Sequence, residues 1–142
     1  MRALLDINVL IALHDRDHIH HERAAHWLAS NIEHGWASCP LTQNGCLRIM
    51  SQPGYSQPQP LAMLVEMLQR STTAPFHQFW PDDVSLLDAA RFRHAHIHGP
   101  SQLTDLYLLA LAIRHEGRLV SFDRRIVISA VPEATSDHLV VL

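Results

Sequence analysis

The chain has 142 residues, of which 47% are hydrophobic and 18% are charged, as expected for one globular domain spanning residues 1–142. Its formal net charge of −3 excludes the strongly basic signature of a general nucleic-acid binder. No run approaches the eighteen or so apolar residues of a membrane span, and the first residues lack a secretory cleavage pattern, so we expect a cytoplasmic protein without membrane contact.

The first half of the chain alternates short apolar runs with segments of helical period. In chain order it is predicted to form a strand at Arg2–Asp6, helices at Asn8–Leu13 and His20–Ile32, a strand at Trp36–Cys39 and a helix at Leu41–Met50. Gly35 is expected to end the second helix, and Thr42 is a candidate N-cap of the third. Three prolines and a glycine within residues 51–60 predict a loop.

The second half continues the alternation. In chain order it is predicted to form a helix at Leu61–Arg70, a strand at Phe76–Trp80, helices at Ser85–Ala95 and Thr104–Gly117, a strand at Arg118–Phe122, a short helical turn at Asp123–Ser129 and a strand at His138–Leu142. The strands are continuous apolar runs, which is typical of a parallel sheet covered on both faces. The fold class is therefore α/β, with helices layered on a central sheet.

The two cysteines, Cys39 and Cys46, do not have the C-x-x-C spacing of a metal or redox site. In a reducing compartment we expect two free, partly buried thiols. All eleven basic residues are arginines, a residue suited to bidentate phosphate contacts, but a compositional bias of the source genome explains this equally well.

Three aspartates lie at the ends of predicted elements. Asp6 ends the first strand, Asp123 follows the strand "RLVSF", and Asp105 lies in the first turn of the long helix between them. Ligands of parallel α/β sheets bind outside the carboxyl ends of the strands, so the three carboxylates are expected to meet in one crevice. Each also has a local explanation, since Asp105 suits a helix start, Asp123 suits a turn, and Asp6 suits a cap if Asn8 begins a helix.

A cluster of three acids needs a compensating charge. Two like charges about 4 Å apart repel by roughly 4 kcal/mol at an effective dielectric constant near 20. Magnesium or manganese ions prefer oxygen ligands and would remove that repulsion. The sequence therefore indicates a divalent-cation site.

Three stretches, "LLDINVLIAL", "TDLYLLALA" and "LVSFDR", resemble the acidic motifs of PIN-domain nucleases. The stretches "WASCPLTQNGCLRIMSQPGY", "FWPDDVSLLD" and "RFRHAHIHGPSQLTDLYLLALA" resemble one actinobacterial-type branch of the VapC-type toxins of bacterial toxin–antitoxin pairs. The resemblance covers nearly the whole chain. It implies a three-layer α/β/α sandwich with a central, mainly parallel sheet.

The resemblance also implies a function. The expected activity is endoribonuclease cleavage that depends on Mg²⁺ or Mn²⁺, with structured RNA such as tRNA or rRNA as the substrate. The expected partners are a second copy of the chain and an antitoxin whose tail covers the acidic groove. Asp6, Asp105 and Asp123 match the family's metal-binding acids.

Gln43 occupies a position where this branch is expected to carry a glutamate, within "T-E-N-G". A glutamine offers a neutral oxygen but no charge, so the site would lose one of four negative charges. We expect weaker metal binding and lower turnover than in a four-acid relative, with Gln43 orienting a water.

Other residues are assigned supporting roles. Asn8 and Thr104 are expected to fix the acids by hydrogen bonds, as groups around a metal site commonly do. Because phosphate contacts supply much of the affinity for RNA, the arginines near the predicted site are candidate RNA-binding residues. They are Arg124, Arg125, Arg48 and Arg93.

Two other functions compete with the nuclease. Gln43 is compatible with a PIN fold that has lost catalysis and serves as a regulatory or protein-binding partner. His14, His18 and His21 would share one face of a helix at i, i+4 and i+7, which would suit a histidine-rich metal-binding module.

Overall fold

The computed structural model describes residues 1–142. Its strands are β1 (Ala3–Leu5), β2 (Trp36–Ser38), β3 (His77–Phe79), β4 (Arg118–Ser121) and β5 (Leu139–Val141). Its α-helices are α1 (Ile7–His14), α2 (His21–Asn31), α3 (Pro40–Met50), α4 (Leu61–Thr72) and α5 (Leu103–Arg114). All five strands are parallel, in the order β3-β2-β1-β4-β5.

The sheet separates two hydrophobic cores, because successive side chains of a strand point to opposite faces. Ala3 and Leu5 of β1 face the core formed with α1, α2, α3 and α4. Leu4, between them, faces the core formed with α5. The molecule is therefore a three-layer α/β/α sandwich with a parallel sheet, which confirms the predicted fold. None of its helices combines the length and apolar character needed to cross a lipid bilayer.

The start of α3 is held by a cap built from two segments. Cys39, not Thr42, is the N-cap, and Thr42 is the third helical residue, whose Oγ1 accepts a hydrogen bond from the Cys39 N–H at 3.1 Å. From a distant loop, Asp82 Oδ2 accepts the N–H of Leu41 at 3.1 Å. Both contacts satisfy N–H groups at the start of the helix, which have no carbonyl partner within the helix.

Gly45 lies within α3 because α1 passes close to it. A Cβ atom on Gly45 would lie 2.5 Å from Cδ1 and 2.9 Å from Cγ1 of Ile7, the first residue of α1. These distances are shorter than real Cβ contacts, so a larger residue at this position would force the Ile7 side chain or the two helices to shift.

The predicted helix at Ser85–Ala95 is wrong. Ser85 Oγ accepts the N–H of Leu87 at 3.1 Å, and Asp88 Oδ1 accepts the N–H of Ala90 at 2.9 Å. Such short-range contacts take backbone N–H groups away from helical hydrogen bonds, so the segment forms successive turns. A single 3₁₀ turn at His94–His96 is all that remains helical.

The helical turn predicted at Asp123–Ser129 is displaced. Asp123 Oδ1 accepts the N–H of Arg125 at 2.8 Å and makes a tight turn at the start of the segment. A 3₁₀ turn forms only later, at Ile128–Ala130. The other predicted elements are confirmed within a few residues at their ends.

Candidate active site

A cavity of about 300 Å³ opens at the carboxyl ends of β1 and β4. These neighbouring strands are followed by connections that leave in opposite directions, β1 toward β2 and β4 toward β5. Such a reversal of strand order creates a crevice, and this is where α/β sheets bind ligands. The cavity is lined by Asp6, Ile7, Asn8, Ile49, Ser101, Thr104, Asp105 and Asp123.

Asp6 combines a structural contact with a place on the cavity wall. It is the N-cap of α1, where its Oδ1 accepts the N–H of Ile7 at 2.7 Å. Its Oδ2 accepts a hydrogen bond from Ser121 Oγ at 2.7 Å. Burial raises the pKa of the carboxyl, while the two hydrogen bonds oppose that shift. Asp6 therefore caps α1 and lines the cavity at the same time.

Asp105 differs from Asp6 because no hydrogen bond from the chain reaches its carboxylate. Burial in the first turn of α5 and the negative charges of Asp6 and Asp123 raise its pKa from 3.8 to about 6. A carboxylate in this position is stabilised by any cation that enters the cavity. Asp105 therefore supplies the strongest electrostatic argument for a bound cation.

Asp123 is already neutralised. Nε of Arg125 donates to Oδ1 at 3.0 Å, and Nη2 donates to Oδ2 at 2.9 Å. These contacts hold the pKa of the Asp123 carboxyl below its usual value. The arginine that pairs with this acid is Arg125, although Arg124 is its neighbour in sequence.

The three predicted acids thus line one cavity, but they are not equivalent. No group of three histidine, cysteine, aspartate or glutamate side chains forms a ready metal-binding cluster anywhere in the chain. Mg²⁺ is commonly held by one or two carboxylates and several waters, so a complete cage of protein ligands is not needed. Asp6 and Asp105 fit that donor set, and Asp123 fits it only after releasing Arg125.

Gln43 lies outside this cavity. It lines a separate groove between α3 and α4, and its Nε2 donates to Ser38 Oγ at 2.9 Å. Ser38 Oγ is in turn 2.8 Å from Nε2 of His77, whose Nδ1 is 2.9 Å from the carbonyl oxygen of Thr72. The carbonyl can only accept, so Nδ1 carries the proton and Ser38 donates to Nε2. Gln43 is therefore anchored at the end of β2.

The supporting residues are placed differently from the prediction. Asn8 and Thr104 line the cavity, but neither side chain hydrogen-bonds an acid. That contact comes from the buried Ser121, which also accepts the N–H of Asp123 at 3.0 Å. Ser121 was missed because a serine inside an apolar strand carries no sequence signal. Ser101 also lines the cavity, from the 3₁₀ turn before α5.

The four candidate arginines are exposed, and none belongs to the cavity lining. Arg125 pairs with Asp123, and Arg93 reaches the carbonyl oxygen of Ser129 at 3.4 Å. Arg48 lies next to the cavity residue Ile49 in α3. These positions leave Arg48, Arg124 and Arg125 close in sequence to residues that line the cavity.

The histidine-rich metal site is wrong. His14 ends α1, His18 lies in the following loop and His21 begins α2, so the three do not share a helix face. His14 Nε2 lies 2.7 Å from Ser71 Oγ, and His21 Nδ1 lies 2.7 Å from the carbonyl oxygen of Ala12. Both rings therefore form hydrogen bonds to other structural elements.

Comparison with known proteins identifies the class of protein to which this parallel sheet and acidic crevice belong. A family model described as PIN domain matches residues 3–133, and the chain belongs to the PIN-domain family. Among solved structures, VapBC2 from Rickettsia felis bound to a DNA fragment from its promoter matches with a TM-score of 0.62. That match covers 100% of this chain and 98% of the other at 12% identity, so it supports the fold alone.

Within this family the chain is of the VapC type. It is 52% identical to Ribonuclease VapC44 of Mycobacterium tuberculosis over 142 residues, 100% of each chain. It is 40% identical to Ribonuclease VapC39 of the same species over 131 residues, 92% of this chain and 94% of the relative. Ribonuclease VapC29 is 38% identical over 123 residues, 87% of this chain and 86% of the relative.

Proposed function

We propose that this protein is a metal-dependent endoribonuclease and the toxin of a bacterial toxin–antitoxin pair. It hydrolyses phosphodiester bonds in structured RNA. The ribonuclease names of its full-length relatives support the reaction class. The observation that carries the metal dependence is the pair Asp6 and Asp105 on one cavity, where Asp105 is half-buried without a hydrogen-bond partner.

Asp6 and Asp105 are the residues that would hold Mg²⁺ or Mn²⁺. When bound, such an ion polarises a phosphate oxygen and lowers the pKa of a bound water. Ser121 keeps Asp6 oriented toward the cavity through the 2.7 Å hydrogen bond. The exposed arginines Arg48, Arg124 and Arg125, which are close in sequence to lining residues, and Arg93 are the candidates for contacts with the RNA backbone.

The proposed protein partners are a second copy of the chain and an antitoxin. Exposed apolar side chains on α4, Leu61 and Met63, offer part of the surface that such partners would cover. Apolar residues that are exposed on one helix are common at protein interfaces. An antitoxin segment that enters the acidic crevice would need a positive charge to face Asp105.

A second candidate function is supported by two contacts. Gln43 is bound to Ser38 outside the cavity, and Asp123 is bound by Arg125. A PIN fold with only two free acids is compatible with a partner-binding protein that has weak or no nuclease activity. The enzyme and the binding protein make opposite predictions for RNA cleavage.

RNA cleavage by the purified protein tests the proposal. Total tRNA and rRNA are incubated with wild type, Asp6→Asn, Asp105→Asn and the control Asp137→Asn, in Mn²⁺, Mg²⁺ or EDTA. Asp137 is exposed and lies just before the amino end of β5, whereas the cavity lies at the carboxyl ends of the parallel strands β1 and β4. We expect cleavage by wild type and Asp137→Asn with metal only, and a loss of at least about a hundredfold in the other two variants. Metal-independent cleavage, or none by wild type, contradicts the proposal.

A further inference from the structure

Arg125 donates hydrogen bonds to both oxygens of the Asp123 carboxylate. Its Nε and Nη2 donate to the two carboxylate oxygens at 3.0 and 2.9 Å, and its backbone N–H donates to Oδ1 at 2.8 Å. Such a bidentate arrangement is the strongest geometry for an arginine–carboxylate pair. Among the three acids of the cavity, Asp123 alone has an ion-pair partner.

The guanidinium of Arg125 has no other anchor. Its side chain is 76% exposed, whereas that of Asp123 is 23% exposed and lines the cavity. Ion pairs that are open to water contribute little to stability, so Arg125 can leave Asp123 at low cost. Arg124, the preceding residue, is equally a surface arginine but has no carboxylate within ion-pair distance.

We infer that Arg125 is an internal counterion that competes with a divalent cation for Asp123 and thereby limits the cation affinity of the site. The inference rests on the proposed metal dependence. Both charges need the same two carboxylate oxygens, so a cation that uses Asp123 must displace the guanidinium. Asp6 and Asp105 form no ion pair with an arginine, although the nearby charge of Arg125 also lowers the pKa of Asp105.

Mn²⁺ titration calorimetry on the full chain tests the competition. Wild type is compared with Arg125→Gln and with Arg124→Gln, which removes the same charge from the adjacent position. We expect Arg125→Gln to bind Mn²⁺ about threefold to fivefold more tightly, as expected for loss of one exposed ion pair. Arg124→Gln should bind with wild-type affinity. Arg125→Lys keeps the charge without the two-pronged contact and should lie between wild type and Arg125→Gln.

The double variant Asp123→Asn/Arg125→Gln should lose the gain, because the released carboxylate is what the cation uses. Thermal unfolding of each variant checks that the fold is retained. Equal affinities in wild type and Arg125→Gln, or an equal gain in Arg124→Gln, overturn the inference and leave the proposed function in place. The absence of Mn²⁺ binding in every variant, wild type included, overturns the inference together with the proposed metal dependence.

Discussion

Ser121 donates a hydrogen bond from its Oγ to Oδ2 of Asp6 across 2.7 Å, and this contact joins the ends of β1 and β4. The same Oγ accepts the N–H of Asp123 at 3.0 Å. One buried hydroxyl therefore positions two of the acidic residues relative to each other. Asp6 and Ser121 lie at the carboxyl ends of β1 and β4, so the acidic crevice lies at the point where the strand order reverses.

Replacing Ser121 with alanine should weaken the site as well as the fold. Asp6 would remain buried with one fewer hydrogen bond, which costs about 1–3 kcal/mol for a charged acceptor and raises the pKa of its carboxyl further. We expect a lower free energy of unfolding in urea and a weaker Mn²⁺ affinity. Ser136→Ala, at an exposed position, is the matched control. Wild-type stability and Mn²⁺ affinity in Ser121→Ala would show that the hydroxyl does not support Asp6.

Asp105→Asn should stabilise the metal-free protein at neutral pH. The pKa of Asp105 is about 6 in the folded protein and has its ordinary value of 3.8 in the unfolded chain. The folded state therefore binds the proton more tightly. Stability therefore falls as the pH rises from about 3.8 through 6, and the full penalty applies above that range. Asparagine removes the penalty, which we place at roughly 1 kcal/mol because the group is partly solvated.

Thermal unfolding in EDTA measures this effect. The melting temperature of Asp105→Asn should exceed that of wild type by about 2–4 °C at pH 7, and the difference should disappear near pH 3.8. Adding Mn²⁺ should raise the melting temperature of wild type more than that of the variant. A variant that is less stable than wild type at pH 7 would mean that Asp105 makes a stabilising contact.

Gly45→Ala should disturb the start of α1. A Cβ atom 2.5 Å from Ile7 Cδ1 forces α1 and α3 apart or moves the Ile7 side chain, which lines the cavity. Overpacking of this kind costs about 1–3 kcal/mol, more than the gain in helix propensity. Urea unfolding compared with Ala62→Gly, a helix change at an exposed site, separates packing from propensity. A Gly45→Ala variant of wild-type or higher stability would contradict the packing argument.

Gln43→Glu tests whether the missing fourth charge weakens the site. Gln43 lies outside the cavity but at the carboxyl end of β2, the parallel neighbour of β1, so a carboxylate there adds negative potential on the same side of the sheet, and we expect a higher Mn²⁺ affinity and faster RNA cleavage than in wild type. Gln43→Ala removes the contact with Ser38 without adding charge, and its cation affinity should stay within about twofold of wild type. Unchanged affinity and rate in Gln43→Glu would refute the hypothesis that charge at this position matters.

The sequence predicted the features that depend on local pattern. Continuous apolar strands indicated a parallel sheet, and Asp6, Asp105 and Asp123 at element ends indicated a shared crevice; all three line one cavity. The resemblance to the PIN-domain family is confirmed by the family comparison. These features follow from hydrophobic periodicity and from the position of acids relative to strand ends.

The remaining features depend on contacts between segments that no local pattern encodes. The hydrogen bond from Ser121 to Asp6 links residues 115 positions apart in the chain. Gln43 turns to Ser38 because His77, on a neighbouring strand, completes the hydrogen-bond chain. In Ser85–Ala95 the apolar spacing suggested a helix, but the side chains of Ser85 and Asp88 accept hydrogen bonds from nearby backbone N–H groups. The segment therefore forms turns.

The central claim is that Asp6 and Asp105 together bind one divalent cation. Electron paramagnetic resonance counts free and bound Mn²⁺ directly, in wild type, Asp6→Asn, Asp105→Asn and the control Asp137→Asn. We predict one saturable Mn²⁺ per chain in wild type and Asp137→Asn, with binding weakened at least about tenfold in each of the other two variants. Wild-type Mn²⁺ binding in either Asp6→Asn or Asp105→Asn would contradict the claim.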